Sequence, residues 1–138
     1  MPLPLVAVVD DDASVRRART RLLRSAEHRV LTYASATEFL DSGIASAPDG
    51  VILDIPLGGM SGVELLSQLR ESGHSLPVLI ITAHDDAQTR TAAAHAGCTA
   101  YLRRPLDAKT FLAEVLKANA ARKPIPSPSF RPAIYQVA

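Results

Sequence analysis

Residues 8–14, "VVDDDAS", end an apolar run in three consecutive carboxylates, Asp10, Asp11 and Asp12. Like charges this close repel, and if partly buried they resist ionising unless a cation or hydrogen-bond donors offset the cost. Two readings stand open: a solvated cap on the helix that follows, or a site with something positive beside it. A fourth carboxylate, Asp54, is embedded in the apolar stretch "VILDI" and is harder to assign to a solvated turn. Thr82 closes the run "PVLIIT", and Arg103 and Arg104 precede Pro105. Carboxylates, a backbone carbonyl and retained waters form a hard-oxygen site suited to Mg²⁺, which takes few protein ligands. Such an ion would offset the crowded charge and neutralise a phosphoryl group, whose transfer depends mainly on positioning and electrostatics. The Thr82 hydroxyl could donate to a phosphoryl oxygen, and an arginine would complete the cage. Asp12 is assigned to the helix cap, leaving Asp10 and Asp11 for metal.

Those groups work together only if the elements carrying them converge. "LVAVV" (5–9), "VILDI" (51–55) and "PVLIITA" (77–83) are short, β-branched and nearly continuous, as strands buried on both faces of a parallel sheet are. "RVLTYA" (29–34) and "TAYLR" (99–103) are weaker strand candidates, placed nearer the edges. Between them run helical stretches. Ser35 with Glu38, and Ser61 with Glu64, match capping boxes. Asp107 can cap the last helix, and Gly73 and Gly97 stand where left-handed C-terminal residues are wanted. The first helix is predicted from Ala13 to Glu27, with Val15, Ala18, Leu22 and Ala26 on one face. Five β-α units with right-handed crossovers make a doubly wound open α/β sheet the economical arrangement. Ligands of such sheets bind outside the carboxyl ends of the strands, where Asp10, Asp11, Asp54, Thr82 and Arg104 all fall.

The bulk properties are consistent with one domain. Of 138 residues 47% are hydrophobic and 21% charged, and 15 Lys and Arg balance 14 Asp and Glu, so no net charge advertises nucleic acid or membrane. Cys98 is the only cysteine, which excludes an intramolecular disulfide and favours a reducing compartment. Neither a signal peptide nor an apolar span is legible, so a cytoplasmic soluble domain is expected. Residues 122–138, with Pro124, Pro126, Pro128 and Pro132, read as a flexible tail or linker after a domain covering 1–121.

"VVDDD", "LDI…GGMSG", "LIITAH" and "GCTAYLRRP", in this order and spacing, resemble the receiver domains of two-component response regulators, particularly the subclass related to the nitrogen-fixation regulator FixJ. The resemblance covers about residues 4–121. It implies the flavodoxin-like fold with strand order 2-1-3-4-5. It also implies phosphorylation of Asp54 as a carboxylate nucleophile forming an acyl phosphate. Asp11 would ligate Mg²⁺ directly (Mn²⁺ serving in its place), Asp10 mainly through water, and Pro56 through its backbone carbonyl. Thr82 would be the switch hydroxyl and Tyr101 the aromatic switch. The phosphoryl donor would be a phosphohistidine on a sensor kinase or phosphotransfer protein. The output would be a downstream protein or effector domain reached through helix 4, strand 5 and helix 5, the surface through which such domains also form homodimers.

Three positions depart from the family pattern. Arg104 stands where lysine is usual; it keeps the charge and can bind phosphate bidentately, but it is longer and planar. Phosphorylation is expected to survive, with weaker coupling to Thr82. Gly58 replaces the usual proline of the loop after Asp54, while a proline appears at Pro56. Pro56 and His84 hold positions that tune the lifetime of the aspartyl phosphate, and His84 is expected to screen it from water. Arg17, Arg21 and Arg24, with Arg16 close by, read as a solvated helix face or as a kinase-docking surface. No direct nucleic-acid contact is expected, because aromatic interleaving and a recognition-helix unit are missing. The competing reading is a pseudo-receiver, an interaction module that keeps the fold without being phosphorylated.

Overall fold

The computed structural model describes residues 3–43, 47–57, 59–83 and 85–121. Gly58, His84 and the 122–138 segment, on which three of the expectations above fall, lie outside the described residues. The chain alternates β1 (Leu5–Val9), α1 (Ala13–Ser25), β2 (Arg29–Tyr33), α2 (Ala36–Asp41), β3 (Gly50–Leu53), α3 (Gly62–Glu71), β4 (Val78–Thr82), α4 (Ala87–Ala96), β5 (Ala100–Arg103) and α5 (Ala108–Ala121). The five strands form one parallel sheet in the order β2-β1-β3-β4-β5.

Strand alternation divides the core in two. Ala7 and Val9, Val51 and Leu53, Val78 and Ile80 point to the side where Phe39 of α2 and Leu65, Leu66 and Leu69 of α3 pack. Val6 and Val8, Ile52, Leu79 and Ile81 point to the other, against Leu23 of α1 and Phe111 and Val115 of α5. β1, β3 and β4 are thus apolar on both faces, which is why they read as unbroken hydrophobic runs.

The ends of elements follow their caps. Asp12 accepts from the Ser14 and Val15 amides and starts α1. Ser61 and Glu64 form the complete capping box of α3, Asp107 caps α5 through the Thr110 amide, and Gly97 closes α4 at φ 94°. Ser35 caps α2, but Glu38 turns to the Ala34 amide at 3.4 Å, so only half of that box forms.

Two expectations need correction. β3 ends at Leu53, so Asp54 is the first residue past the strand and not part of it. Helix α1 stops at Ser25, with Glu27 in a left-handed turn at φ 64°, and its face is rotated from the predicted one. Arg19 and Leu23 are the buried residues, while Ala18 is exposed. Hydrophobic periodicity could not find a face whose central member is an arginine.

Arg70 of α3 is a tie that no pattern signalled. Its guanidinium donates to the Gly97 carbonyl at 2.8 Å, the Leu76 carbonyl at 2.8 Å and the His74 carbonyl at 2.9 Å, joining the C-terminal ends of α3 and α4 to the entry of β4. Arg70→Ala leaves three carbonyls without that donor and is expected to cost about 2 kcal/mol or more. Arg70→Lys, which cannot fork, should recover only part of it. Urea unfolding midpoints of the two variants check this.

Candidate functional site

The carboxyl ends of β1, β3, β4 and β5 bring the polar residues to one rim, because each strand runs in the same direction and stops at the same level. Asp10 follows β1 and is 1% exposed. Its Oδ1 accepts from the Asp12 amide at 2.9 Å, and its Oδ2 lies 3.3 Å from an Arg19 guanidinium nitrogen. Arg16 reaches the Asp10 carbonyl at 2.6 Å. Asp54, after β3, is 5% exposed; its Oδ1 accepts from the Ile55 amide at 2.7 Å and its Oδ2 lies 3.4 Å from Arg104. Thr82, fully buried, ends β4, and its carbonyl accepts from the Arg104 amide at 2.9 Å. That bond holds the start of the β5–α5 connection against β4 and brings the Arg104 side chain to Asp54. The Arg104–Pro105 peptide is cis.

The charge of Asp54 acts on Asp10. Burial is the main force pushing the Asp10 carboxyl above its usual pKa, and the Asp54 charge pushes the same way; the Asp12 amide and Arg19 only partly oppose them. Burial likewise pulls Arg19 down, with Asp10 opposing. Desolvation therefore outweighs attraction on both sides of this ion pair, as is common for buried pairs. A carboxyl with a raised folded pKa keeps its proton over a range in which the unfolded chain has lost it. That contribution is complete below the unfolded value near 3.8 and is lost as pH rises through the folded value. The metal-free parent is expected to lose stability relative to Asp10→Asn as pH rises from about 4 toward neutrality. Melting temperatures of both proteins across that range check it, and a constant gap between them would contradict it.

The other predicted site residues are less gathered. Asp11 is exposed, and Pro56 is exposed on the loop after Asp54. Among the described residues no three His, Cys, Asp or Glu side chains stand close enough to hold a metal. Convergence is thus seen for Asp10 and Asp54, with Asp11 outside it. The donor set still fits a hard divalent cation. It consists of hard carboxylate oxygens, and at Asp10 the Arg19 contact does not offset the cost of burial.

Tyr101 is 7% exposed in β5, with the Arg90 guanidinium 5.8 Å above its ring. Arg90 also pairs with Asp85 at 2.6 Å, and Arg103 reaches the same oxygen at 3.3 Å. Burial alone would raise the Asp85 carboxyl, but the hydrogen bond and charge of Arg90, aided by Arg103, hold it below its usual value. The Tyr101 hydroxyl and Asp85 Oδ1 are buried and neither completes a hydrogen bond of good geometry. The arrangement couples the loop after β4, helix α4 and β5. Sequence reasoning missed it, since the five-residue spacing of Asp85 and Arg90 is no helical signal. Arg19 was missed too, hidden among the arginines of α1.

The sequence model of the response regulator receiver domain family matches residues 6–116. The transcriptional regulatory protein TdiR of Thauera aromatica is 37% identical over 118 residues, covering 86% of this chain and 52% of its own length. This chain therefore spans about half of that relative. The signal receiver domain of the response regulator NarL from Mycobacterium tuberculosis superposes with a TM-score of 0.81 at 25% identity, over 88% of this chain and 100% of that one. A BeF3-activated DrrB receiver domain gives a TM-score of 0.78 at 27% identity, over 87% and 99% respectively.

Proposed function

Since the chain belongs to the response regulator receiver domain family and serves two-component phosphorylation signalling, we propose that Asp54 is its phosphoacceptor and Asp10, Thr82 and Arg104 the groups that serve it. The observation that carries this reading is the placement of a buried Asp54 between an arginine and a second buried carboxylate at the strand ends. The Ile55 amide fixes Oδ1 of Asp54, which leaves Oδ2, the oxygen facing Arg104, as the nucleophile. That oxygen would bond to phosphorus as the bond to the donor's imidazole nitrogen breaks and the imidazole departs with the electron pair. Arg104 would lie beside the incoming phosphoryl group and carry part of its charge. Thr82, at the end of β4, supplies a hydroxyl to a phosphoryl oxygen.

Mg²⁺, when bound, would neutralise charge on the phosphoryl oxygens. Asp10, Asp54 and the Pro56 carbonyl would hold it, with Asp11 joining by turning inward from solvent. Pro56 and His84 tune how long the acyl phosphate lasts. Tyr101 and its Arg90–Asp85 contacts link the site to the α4–β5–α5 face, which we assign as the output and homodimer surface. On the opposite side, Arg16, Arg17, Arg21 and Arg24 with Thr20, Val30 and Thr32 line a groove of ≈ 520 Å³ between α1 and β2 that contains no acidic residue. We assign it to docking of an acidic phosphodonor protein, a sensor histidine kinase or phosphotransfer protein. No described helix is long and apolar enough to cross a membrane, and we place the domain in the cytoplasm.

The test is incubation with acetyl phosphate and Mg²⁺ followed by intact mass. The expected result is a gain of one phosphoryl group that hydroxylamine removes, as it does from acyl phosphates. A chain that stays unmodified would instead be a phosphorylation-independent interaction module.

A further inference from the structure

Of the arginines along α1, Arg16, Arg17, Arg21 and Arg24 line the outer groove, whereas Arg19 is buried at 7% exposure. It lies one helical turn before Leu23, on the face that packs against the sheet, where an apolar side chain would complete the core. A buried ion pair gains little or nothing over a well-packed apolar residue of similar size. Stability therefore does not explain an arginine at this position, and its contact does: Oδ2 of Asp10, at 3.3 Å. Arg19 also feels the charges of Arg104 and Asp54. Two guanidinium groups thus answer the two buried carboxylates of the rim one for one, Arg19 at Asp10 and Arg104 at Asp54.

From this pairing, and resting on the reading of the rim as a phosphorylation site, we infer that Arg19 is a resident counter-ion that competes with the divalent cation for Asp10. It offsets the repulsion between Asp10 and Asp54 when no metal is bound, so the metal-free domain does not depend on Mg²⁺ for its integrity. It weakens Mg²⁺ binding for the same reason, since a dication at Asp10 must share the Oδ2 oxygen with a guanidinium or displace it, against like-charge repulsion in a poorly solvated site. Arg19 is in this sense a positioning residue that acts through Asp10.

The experiment is a Mg²⁺ titration of the whole chain followed by amide NMR shifts of Asp10, Asp54 and Thr82, together with the rise in melting temperature that saturating Mg²⁺ produces. Arg19→Leu, which suits the apolar register, is expected to bind Mg²⁺ at least about tenfold more tightly than the parent and to gain more melting temperature from it. Arg19→Lys keeps the charge and is expected to stay within about threefold of the parent. In the parent itself the Arg19 Nε resonance should move with the same midpoint as the Asp10 amide, a measurement that stands even if Arg19→Leu does not fold. Equal Mg²⁺ affinity of parent and Arg19→Leu, or an Arg19 resonance indifferent to Mg²⁺, overturns the inference and leaves the phosphorylation reading intact. Absence of any Mg²⁺ response at the rim in all three proteins overturns both.

Discussion

Asp54→Asn is expected to take up no phosphoryl group from acetyl phosphate under conditions in which the parent is modified, with its circular dichroism unchanged. The amide oxygen can still accept from the Ile55 amide, which the carboxylate does at 2.7 Å, so the loop after β3 keeps its local anchor. What is lost is the nucleophile: an amide has no anionic oxygen to bond to phosphorus. The same change removes the negative charge that helps push Asp10 above its usual pKa. The Asp10 carboxyl is therefore expected to titrate at lower pH in the variant, which carbonyl ¹³C shifts would follow. Modification that persists in Asp54→Asn would mean that another carboxylate is the acceptor. An unmoved Asp10 titration would mean that the two carboxylates are farther apart electrically than the fold indicates.

A stability loss as large as that of Arg70→Ala, joined here to an effect on the site itself, is expected at Gly62, the first residue of α3. A glycine replaced by alanine in a helix normally gains about 0.5–1 kcal/mol from reduced backbone freedom and better propensity. Here a Cβ would run into the Asp54 carbonyl oxygen and would stand 2.9 Å from Leu53 Cδ1. The neighbour is backbone, held in turn by the Gly62 amide's own 2.8 Å bond to the Ile55 carbonyl, so it cannot swing aside. Overlap of this kind costs about 1–3 kcal/mol in a packed interior, and more where the chain must shift. The clash wins, and Gly62→Ala is expected to lower stability by about 2 kcal/mol or more, read from its urea midpoint. Because the shift passes directly into Asp54, phosphoryl uptake should fall as well. An unchanged or higher midpoint would show that α3 can slide away from the rim without cost.

Fold class follows closely from what the chain displays, whereas the strand order is what the family resemblance implies, and the sheet adopts it. β1, β3 and β4 bury both faces, so their hydrophobicity is continuous and visible; Asp12, Ser61 and Asp107 cap helices through bonds made within three residues, so their role is local and legible. The roles proposed for Asp54, Thr82 and Arg104 rest on the family resemblance that the short motifs carry, and the strand ends bring those residues to one rim. Sequence also exposed the departure at Arg104, though not that its guanidinium would lie at 3.4 Å from Asp54.

What only the tertiary structure decided are the pairings across many residues. Which arginine of α1 turns inward depends on a helix rotation of one position, and the polar character of Arg19 conceals the buried face from any count of apolar residues. The fork from Arg70 to carbonyls before β4 and after α4, and the clasp of Arg90 and Arg103 on Asp85, join segments whose proximity the folded sheet creates. Asp11 shows the converse: adjacent to Asp10 in sequence, it faces solvent, because the residue leaving a strand end turns its side chain away from the one before. Local chemistry is written in neighbouring residues, whereas the field that each charge experiences is set by what the fold packs around it.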